Sequence, residues 1–139
     1  VTDLMRKIKA SGLKIGIVTG SAQRPLIERI TRDFAEYVAP DQITTAFDVK
    51  RGKPAPDPYL TGLRKAGGYA PSEGIVVENA PLGVRAGVAA GCYTVAVNSG
   101  PLPDSALLEE GADLLFPTIR AFADNWEQVF HRQIINKFQ

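Results

Sequence analysis

The fold of this chain is decided by one stretch, residues 75–97, which read IVVENAPLGVRAGVAAGCYTVAV. Its two ends, 75–77 and 93–97, are apolar without alternation, which is typical of strands that helices cover on both faces. Between them, Pro81 favours the first turn of a helix and Gly91 favours its C-terminal cap. A strand, a helix and a strand in this order predict two parallel strands joined by a right-handed crossover.

The rest of the chain repeats this alternation. Three more apolar runs are predicted as strands, the middle one weaker than the others: residues 15–18, 44–47 and 113–116. Helical patterns are predicted for four further segments, which begin at Thr2 or Asp3, near Pro25, at Asp57 and at Ile119, the last continuing to Phe130. We therefore predict one α/β domain over residues 1–139, a Rossmann-like three-layer sandwich with a parallel sheet.

Composition limits the classes of partner. The net charge of +1 gives no electrostatic reason to expect nucleic acid or a membrane surface as a partner. No apolar run approaches the roughly 20 residues that span a bilayer. Cys92 is the only cysteine, so an intrachain disulfide is excluded, and we expect a cytoplasmic location.

Thr19, Gly20 and Ser21 follow the first predicted strand and precede the helix near Pro25. In open parallel sheets, ligands bind beyond the carboxyl ends of the strands. Two hydroxyl groups and a glycine amide ahead of a helix N-terminus suit an anion such as phosphate. The alternative is that Ser21 only caps the helix.

Lys53 follows the second predicted strand, in a loop with prolines at positions 54, 56 and 58. Proline restricts its own backbone and that of the preceding residue, so this loop is expected to hold the ammonium in place. A fixed ammonium at a strand end can neutralise a phosphate or a carboxylate. The alternative is a proline-stiffened surface loop.

Glu78 and Asn79 follow the third predicted strand. A carboxylate beside an amide oxygen suits a hard cation such as Mg²⁺, which usually takes one or two carboxylates together with water and substrate oxygens. This pair alone is an incomplete metal site. The alternative is a helix-capping Asn79 beside an exposed Glu78.

A hydroxyl, a lysine and an acid in this order, each at a strand end, resemble the haloacid dehalogenase (HAD) superfamily of phosphohydrolases. Thr19 matches the second motif of the family, Lys53 in Lys-Pro-Ala-Pro-Asp-Pro-Tyr matches the third, and Glu78 in Val-Glu-Asn-Ala-Pro-Leu-Gly-Val matches the fourth. The resemblance covers nearly the whole chain. It is strongest to the β-phosphoglucomutase-like branch, which includes sugar-phosphate phosphatases, mutases and some pyrophosphatases.

The resemblance implies a Mg²⁺-dependent phosphatase that hydrolyses a small phosphorylated metabolite, of sugar-phosphate or pyrophosphate type, through an aspartyl-phosphate. Thr19 and Lys53 would be catalytic. Four residues would bind the phosphate and two would hold Mg²⁺: Thr19, Gly20, Ser21 and Lys53 for the phosphate, and Glu78 and Asn79 for the metal. Asn79 stands where the family often has a second acid, so weaker metal binding is expected.

The first motif of the family, Asp-x-Asp, is absent from this sequence. In the family its first aspartate is the nucleophile and its second is the general acid. The chain also begins at Val1 without an initiator methionine. We therefore expect the C-terminal part of a HAD-like core, N-terminally incomplete and inactive alone, with the nucleophile strand and the cap domain upstream.

The resemblance places the nucleophile strand between the strands that lead to Thr19 and Glu78. We therefore expect an upstream segment of the same protein, or a partner chain, to occupy that place. Two other functions stay open. One is a phosphomutase of the same branch, which differs mainly in its cap, and the other is a non-catalytic α/β module that binds an anion or a partner.

Overall fold

Helices and strands alternate along the chain, and a computed structural model describes residues 1–135. The strands are β1 (Ile17–Val18), β2 (Ile43–Thr44), β3 (Ile75–Glu78), β4 (Tyr93–Val97) and β5 (Leu114–Phe116). The α-helices are α1 (Thr2–Ala10), α2 (Arg24–Asp33), α3 (Asp57–Ala66), α4 (Pro81–Ala90), α5 (Asp104–Leu108), α6 (Ile119–Asp124) and α7 (Trp126–Val129). Three 3₁₀ turns and a π-helical segment complete the order: Pro40–Gln42, Ala46–Asp48, Pro71–Glu73 and Phe130–Ile135.

The strands form two parallel sheets. In the smaller sheet β1 pairs with β2, with Ile17 opposite Ile43. In the larger sheet the order is β3-β4-β5, and Glu78 lies opposite Ala96. Within residues 1–135, β1 and β3 do not pair with each other, so the division falls between the strands that lead to Thr19 and to Glu78. The predicted α/β fold with parallel strands is confirmed, and the division falls where the resemblance places a further strand.

Helices cover both faces of the larger sheet and so produce three layers. On one face, α1, α6 and α7 pack on the outward side chains of β4, with seven buried residues: Leu4, Val95, Val97, Phe122, Ala123, Trp126 and Val129. On the other face, α4 and α5 pack around Ala96, together with Val84 and Leu107. Neighbouring residues of β4 thus serve opposite cores, which explains why this strand is apolar without alternation.

Helix α3 touches both sheets. Its apolar residues pack against β3 and the junction of α4 with β4, in one cluster: Tyr59, Leu60 and Leu63 against Val76, Ala90 and Cys92. Toward the smaller sheet, a Cβ added to Gly62 would lie 3.1 Å from the side chain of Val18, so the helix backbone approaches β1 closely. The larger and the smaller sheet are therefore held in place by the same helix.

The weak strand predicted at 44–47 is mostly wrong. Pairing with β1 ends at Thr44, and a 3₁₀ turn begins directly afterwards. The Thr45 hydroxyl accepts a hydrogen bond from the Phe47 N–H, and the Asp48 carboxylate accepts one from the Thr45 N–H. This capping box satisfies backbone groups locally and so competes with extension of the strand.

The predicted helices are present, with different ends. Val1 occupies the N-cap position of α1, so neither Thr2 nor Asp3 caps that helix. The helix predicted over 119–130 is divided at Asn125, and α5 was not predicted. Gly91 ends α4 in the left-handed region at φ 87°, as predicted. None of the helices in residues 1–135 has the length and apolar character that a membrane crossing requires.

Candidate phosphate and metal site

The centre of the candidate site is Glu78, the last residue of β3, which is 8% exposed. Lys53 Nζ lies 2.5 Å from Glu78 Oε1. The Tyr59 hydroxyl donates a hydrogen bond to the same oxygen. Lys53 Nζ also lies 5.2 Å from the centroid of the Tyr59 ring. A buried carboxylate is thus matched by one ammonium and one hydroxyl, as burial of a charge requires.

Three different elements bring these side chains together. Glu78 lies at the carboxyl end of β3, and Tyr59 lies in the first turn of α3. Lys53 belongs to the proline-rich loop that leads into α3, where the Lys53–Pro54 peptide bond is cis. Arg51 and Asp57 close this loop through an ion pair of 3.1 Å. The loop and the helix therefore present both donors to the end of one strand.

The first turn of α4 lies directly against the Glu78 carboxylate. A Cβ added to Gly83 would lie only 2.1 Å from the Glu78 carboxyl carbon, so only glycine leaves room for this side chain. The Asn79 N–H donates a hydrogen bond of 3.2 Å to Glu78 Oε2. A helix N-terminus carries a partial positive charge, which stabilises a carboxylate placed there.

Tyr59 acts as a donor because its hydroxyl keeps its proton. Burial and, next, the negative charge of Glu78 raise the pKa of Tyr59 far above its usual range. Tyr59 was quoted within the third motif, but sequence reasoning gave it no role. The available signal was its position one residue after Pro58, in the first turn of the helix that follows the Lys53 loop.

Thr19, Gly20 and Ser21 lie at the end of β1 and make local hydrogen bonds. The Thr19 N–H donates to the Thr44 carbonyl at 2.9 Å, and the Ser21 N–H donates to Thr19 Oγ1 at 3.2 Å. Ser21 Oγ accepts a hydrogen bond of 3.0 Å from the N–H of Gln23, the N-cap residue of α2. A Cβ on Gly20 would meet nothing within 4 Å, so this segment has open space beside it.

The structure therefore brings Lys53 and Glu78 into direct contact. The hydrogen bonds of Thr19 and Ser21 described above stay within the smaller sheet and the turn before α2. Asn79 is exposed, and the N-cap of α4 is Ala80, so the alternative of an exposed Glu78 beside a capping Asn79 does not hold. The roles assigned to these residues in phosphate and metal binding stay predictions.

Comparison with known proteins identifies the class to which this fold and this site belong. Residues 1–97 match the family model described as haloacid dehalogenase-like hydrolase. The chain is 45% identical over 96 residues to hexitol phosphatase A of Escherichia coli K12. The matched region covers 69% of this chain and 43% of that protein. It is 32% identical over 114 residues to the phosphorylated carbohydrates phosphatase of Thermotoga maritima, covering 81% of this chain and 51% of that protein.

A solved structure gives the same result. The "putative beta-phosphoglucomutase" from Bacteroides vulgatus superposes with a TM-score of 0.87 at 48% identity, covering 95% of this chain and 53% of that one. The chain therefore belongs to the haloacid dehalogenase-like hydrolase family, in its β-phosphoglucomutase-like branch. It spans about half the length, or less, of the curated relatives it matches.

Proposed function

We propose that this chain is the C-terminal part of the core of a Mg²⁺-dependent phosphatase acting on a small phosphorylated metabolite. The observation that carries the proposal is the contact of Lys53 with the buried Glu78 at a strand end, in a chain that belongs to a family of hydrolases. Two relatives are phosphatases whose names specify hexitol and carbohydrate phosphates. They favour a sugar phosphate as substrate, and a pyrophosphate is the second choice. The proposed location is the cytoplasm.

Each strand end contributes one function in this proposal. Thr19, the Gly20 amide and Ser21 bind oxygens of the transferring phosphoryl group. Lys53 balances negative charge between that group and its attacking carboxylate. An ammonium has three donors, and among residues 1–135 the bond to Glu78 uses one of them, so two stay available to the reacting groups.

The side-chain oxygens of Glu78 and Asn79 fit part of a Mg²⁺ site. Both offer hard oxygen ligands, and Gly83 leaves the space in which the carboxylate lies. No group of three His, Cys, Asp or Glu residues within 1–135 could hold a metal by itself. Water, the substrate and an upstream aspartate would therefore supply the remaining ligands. When bound, Mg²⁺ would neutralise charge on the phosphoryl oxygens.

The proposal includes an upstream segment of the same protein. The nucleophilic aspartate would reside there, and its strand would pair with the edges of β1 and β3 that have no partner strand within residues 1–135. Unpaired backbone groups in the middle of a sheet are costly, which favours an additional strand at this place. The chain would be inactive without that segment.

The test uses the full-length protein that contains this chain. Phosphate release is measured from a panel of sugar phosphates and from pyrophosphate, with Mg²⁺ and then with EDTA. Lys53→Ala and Glu78→Ala are each expected to lower turnover by about 100-fold or more, the usual effect of removing one group that stabilises transition-state charge. Lys50→Ala is the matched control, because Lys50 is an exposed lysine of the same loop.

The outcomes separate the candidate functions. Unchanged turnover in Lys53→Ala and Glu78→Ala would show that the assigned roles are wrong. Similarity to a β-phosphoglucomutase structure favours a mutase as the second candidate, and this would appear as an isomeric sugar phosphate without phosphate release. Binding of inorganic phosphate without any turnover would instead indicate a non-catalytic module.

A further inference from the structure

The two oxygens of the Glu78 carboxylate have different surroundings. Oε1 accepts hydrogen bonds from Lys53 Nζ, at 2.5 Å, and from the Tyr59 hydroxyl. Within residues 1–135, Oε2 accepts one hydrogen bond, from the Asn79 N–H at 3.2 Å. A carboxylate oxygen offers about two lone pairs. Oε1 is therefore filled, whereas Oε2 keeps one lone pair for a further partner.

The carboxylate is also restrained against turning. On its α4 side it is so close to Gly83 that a Cβ there would lie 2.2 Å from Oε2 and 2.3 Å from Oε1. On its α3 side, the Tyr59 ring packs against the buried cluster of Val76, Ala90 and Cys92, which restrains it. Rotation of the carboxylate out of this orientation would break both hydrogen bonds to Oε1 and leave the two partly buried donors without this acceptor, which is unfavourable.

We infer that Tyr59 makes Glu78 meet a divalent cation through the single oxygen Oε2, and that this selects Mg²⁺ over Ca²⁺. The inference rests on the proposed role of Glu78 as a metal ligand. Mg²⁺ demands near-ideal octahedral geometry, whereas Ca²⁺ takes six to eight oxygens and often binds a carboxylate through both of them. With Oε1 occupied by Lys53 and Tyr59, the second contact to Ca²⁺ is blocked. Tyr59 is thus a positioning residue that acts through Glu78.

The test is Tyr59→Phe in the full-length protein, titrated by calorimetry with Mg²⁺ alone and with Ca²⁺ alone. Phenylalanine keeps the ring that packs against Val76, Ala90 and Cys92, and removes only the hydroxyl donor. The ratio of Mg²⁺ to Ca²⁺ affinity is expected to fall about tenfold, the lower end of the usual effect of one hydrogen bond to a charged group. The matched control is Tyr93→Phe, a partly buried tyrosine at the opposite end of the strand next to β3. Its ratio is expected to equal that of the wild type.

An unchanged ratio in a folded Tyr59→Phe protein would overturn the inference. If that variant does not fold, Lys53→Met decides, because it removes the other donor to Oε1 and is expected to shift the ratio in the same direction. A wild-type protein that binds no Mg²⁺ would overturn both the inference and the metal dependence of the proposed function. A wild-type protein that binds Mg²⁺ without releasing phosphate would overturn the phosphatase alone, and the affinity ratio would still decide the role of Tyr59.

Discussion

The effect of the substitution Gly83→Ala can be predicted directly from the geometry of the site. The added methyl group would lie 2.1–2.3 Å from three atoms of the Glu78 carboxyl group. Gly83 belongs to α4, whose backbone is held by packing, so the carboxylate is the part that moves. A displaced carboxylate loses its contacts with Lys53 and Tyr59, while the helix itself stays intact.

The magnitude follows from two opposing effects. Each hydrogen bond to a charged group stabilises a protein by about 1.5–3 kcal/mol, so loss of two bonds costs about 3–6 kcal/mol. Alanine in place of glycine inside a helix stabilises by about 1 kcal/mol. Because Lys53 is still 22% exposed and water replaces part of what is lost, the lower end applies. We expect a net loss in the free energy of unfolding of about 2–3 kcal/mol.

The assay combines denaturant unfolding with phosphate release by the full-length protein. Turnover is expected to fall about 100-fold, since the site loses its arranged carboxylate and ammonium together. Gly87→Ala, one turn further along α4, is the matched control. Its Cβ would lie 2.8 Å from Thr94 Oγ1 and 2.9 Å from Val76 Cγ1, away from Glu78. Overpacking of this kind costs about 1–3 kcal/mol, so stability falls while the remaining folded protein keeps its turnover per molecule.

One result would refute the reasoning about Gly83. If Gly83→Ala retains both wild-type turnover and wild-type stability, the Glu78 carboxylate does not lie against the first turn of α4. The hydrogen bonds from Lys53 and Tyr59 would then contribute nothing measurable in solution.

Two further predictions concern the smaller sheet and its surroundings. The pKa of Asp48 is lowered from its usual value near 3.8, chiefly by the hydrogen bond from the Thr45 N–H and further by Lys65. The stabilisation by Asp48 is therefore present above that usual value and is lost as the pH falls through the lowered pKa. When the pH is lowered below about 4, the free energy of unfolding, measured by denaturant titration, should fall less in Asp48→Asn than in the wild type. Residues 1–139 expressed alone are expected to self-associate or to unfold without cooperativity, because β1 and β3 each have an edge that pairs with no strand of residues 1–135. A cooperatively unfolding monomer, measured by sedimentation and denaturant titration, would contradict this.

The part of the fold that was predictable is the part in which local signals and burial agree. Residues 93–97 form a strand as predicted, because both faces of β4 are buried. Pro81 and Gly91 mark the ends of α4. The helix predicted over 119–130 is present but divided at Asn125, whose side chain donates a hydrogen bond of 2.7 Å to the Ala121 carbonyl where α6 ends. The spacing of apolar residues along the sequence does not predict such a side-chain hydrogen bond.

Of the candidate site, the proximity of Lys53 and Glu78 was predictable from the sequence, whereas the arrangement around them was not. Strand order along the chain placed Lys53 and Glu78 at one edge of the sheet, and their contact agrees with this. The contribution of Tyr59 depends on how α3 lies across β3, and the space at Gly83 depends on where α4 begins above that strand. Both are consequences of tertiary packing, which spacing along the sequence does not specify.

The position of α3 couples two regions that are otherwise separate. Gly62 of this helix approaches β1 at Val18, Tyr59 one turn earlier reaches Glu78, and Lys53 comes from the loop just before the helix. A shift of the smaller sheet against the larger one would therefore move both hydrogen-bond donors away from the acceptor at the same time. The orientation of the Glu78 carboxylate thus depends on how the two sheets are aligned with each other.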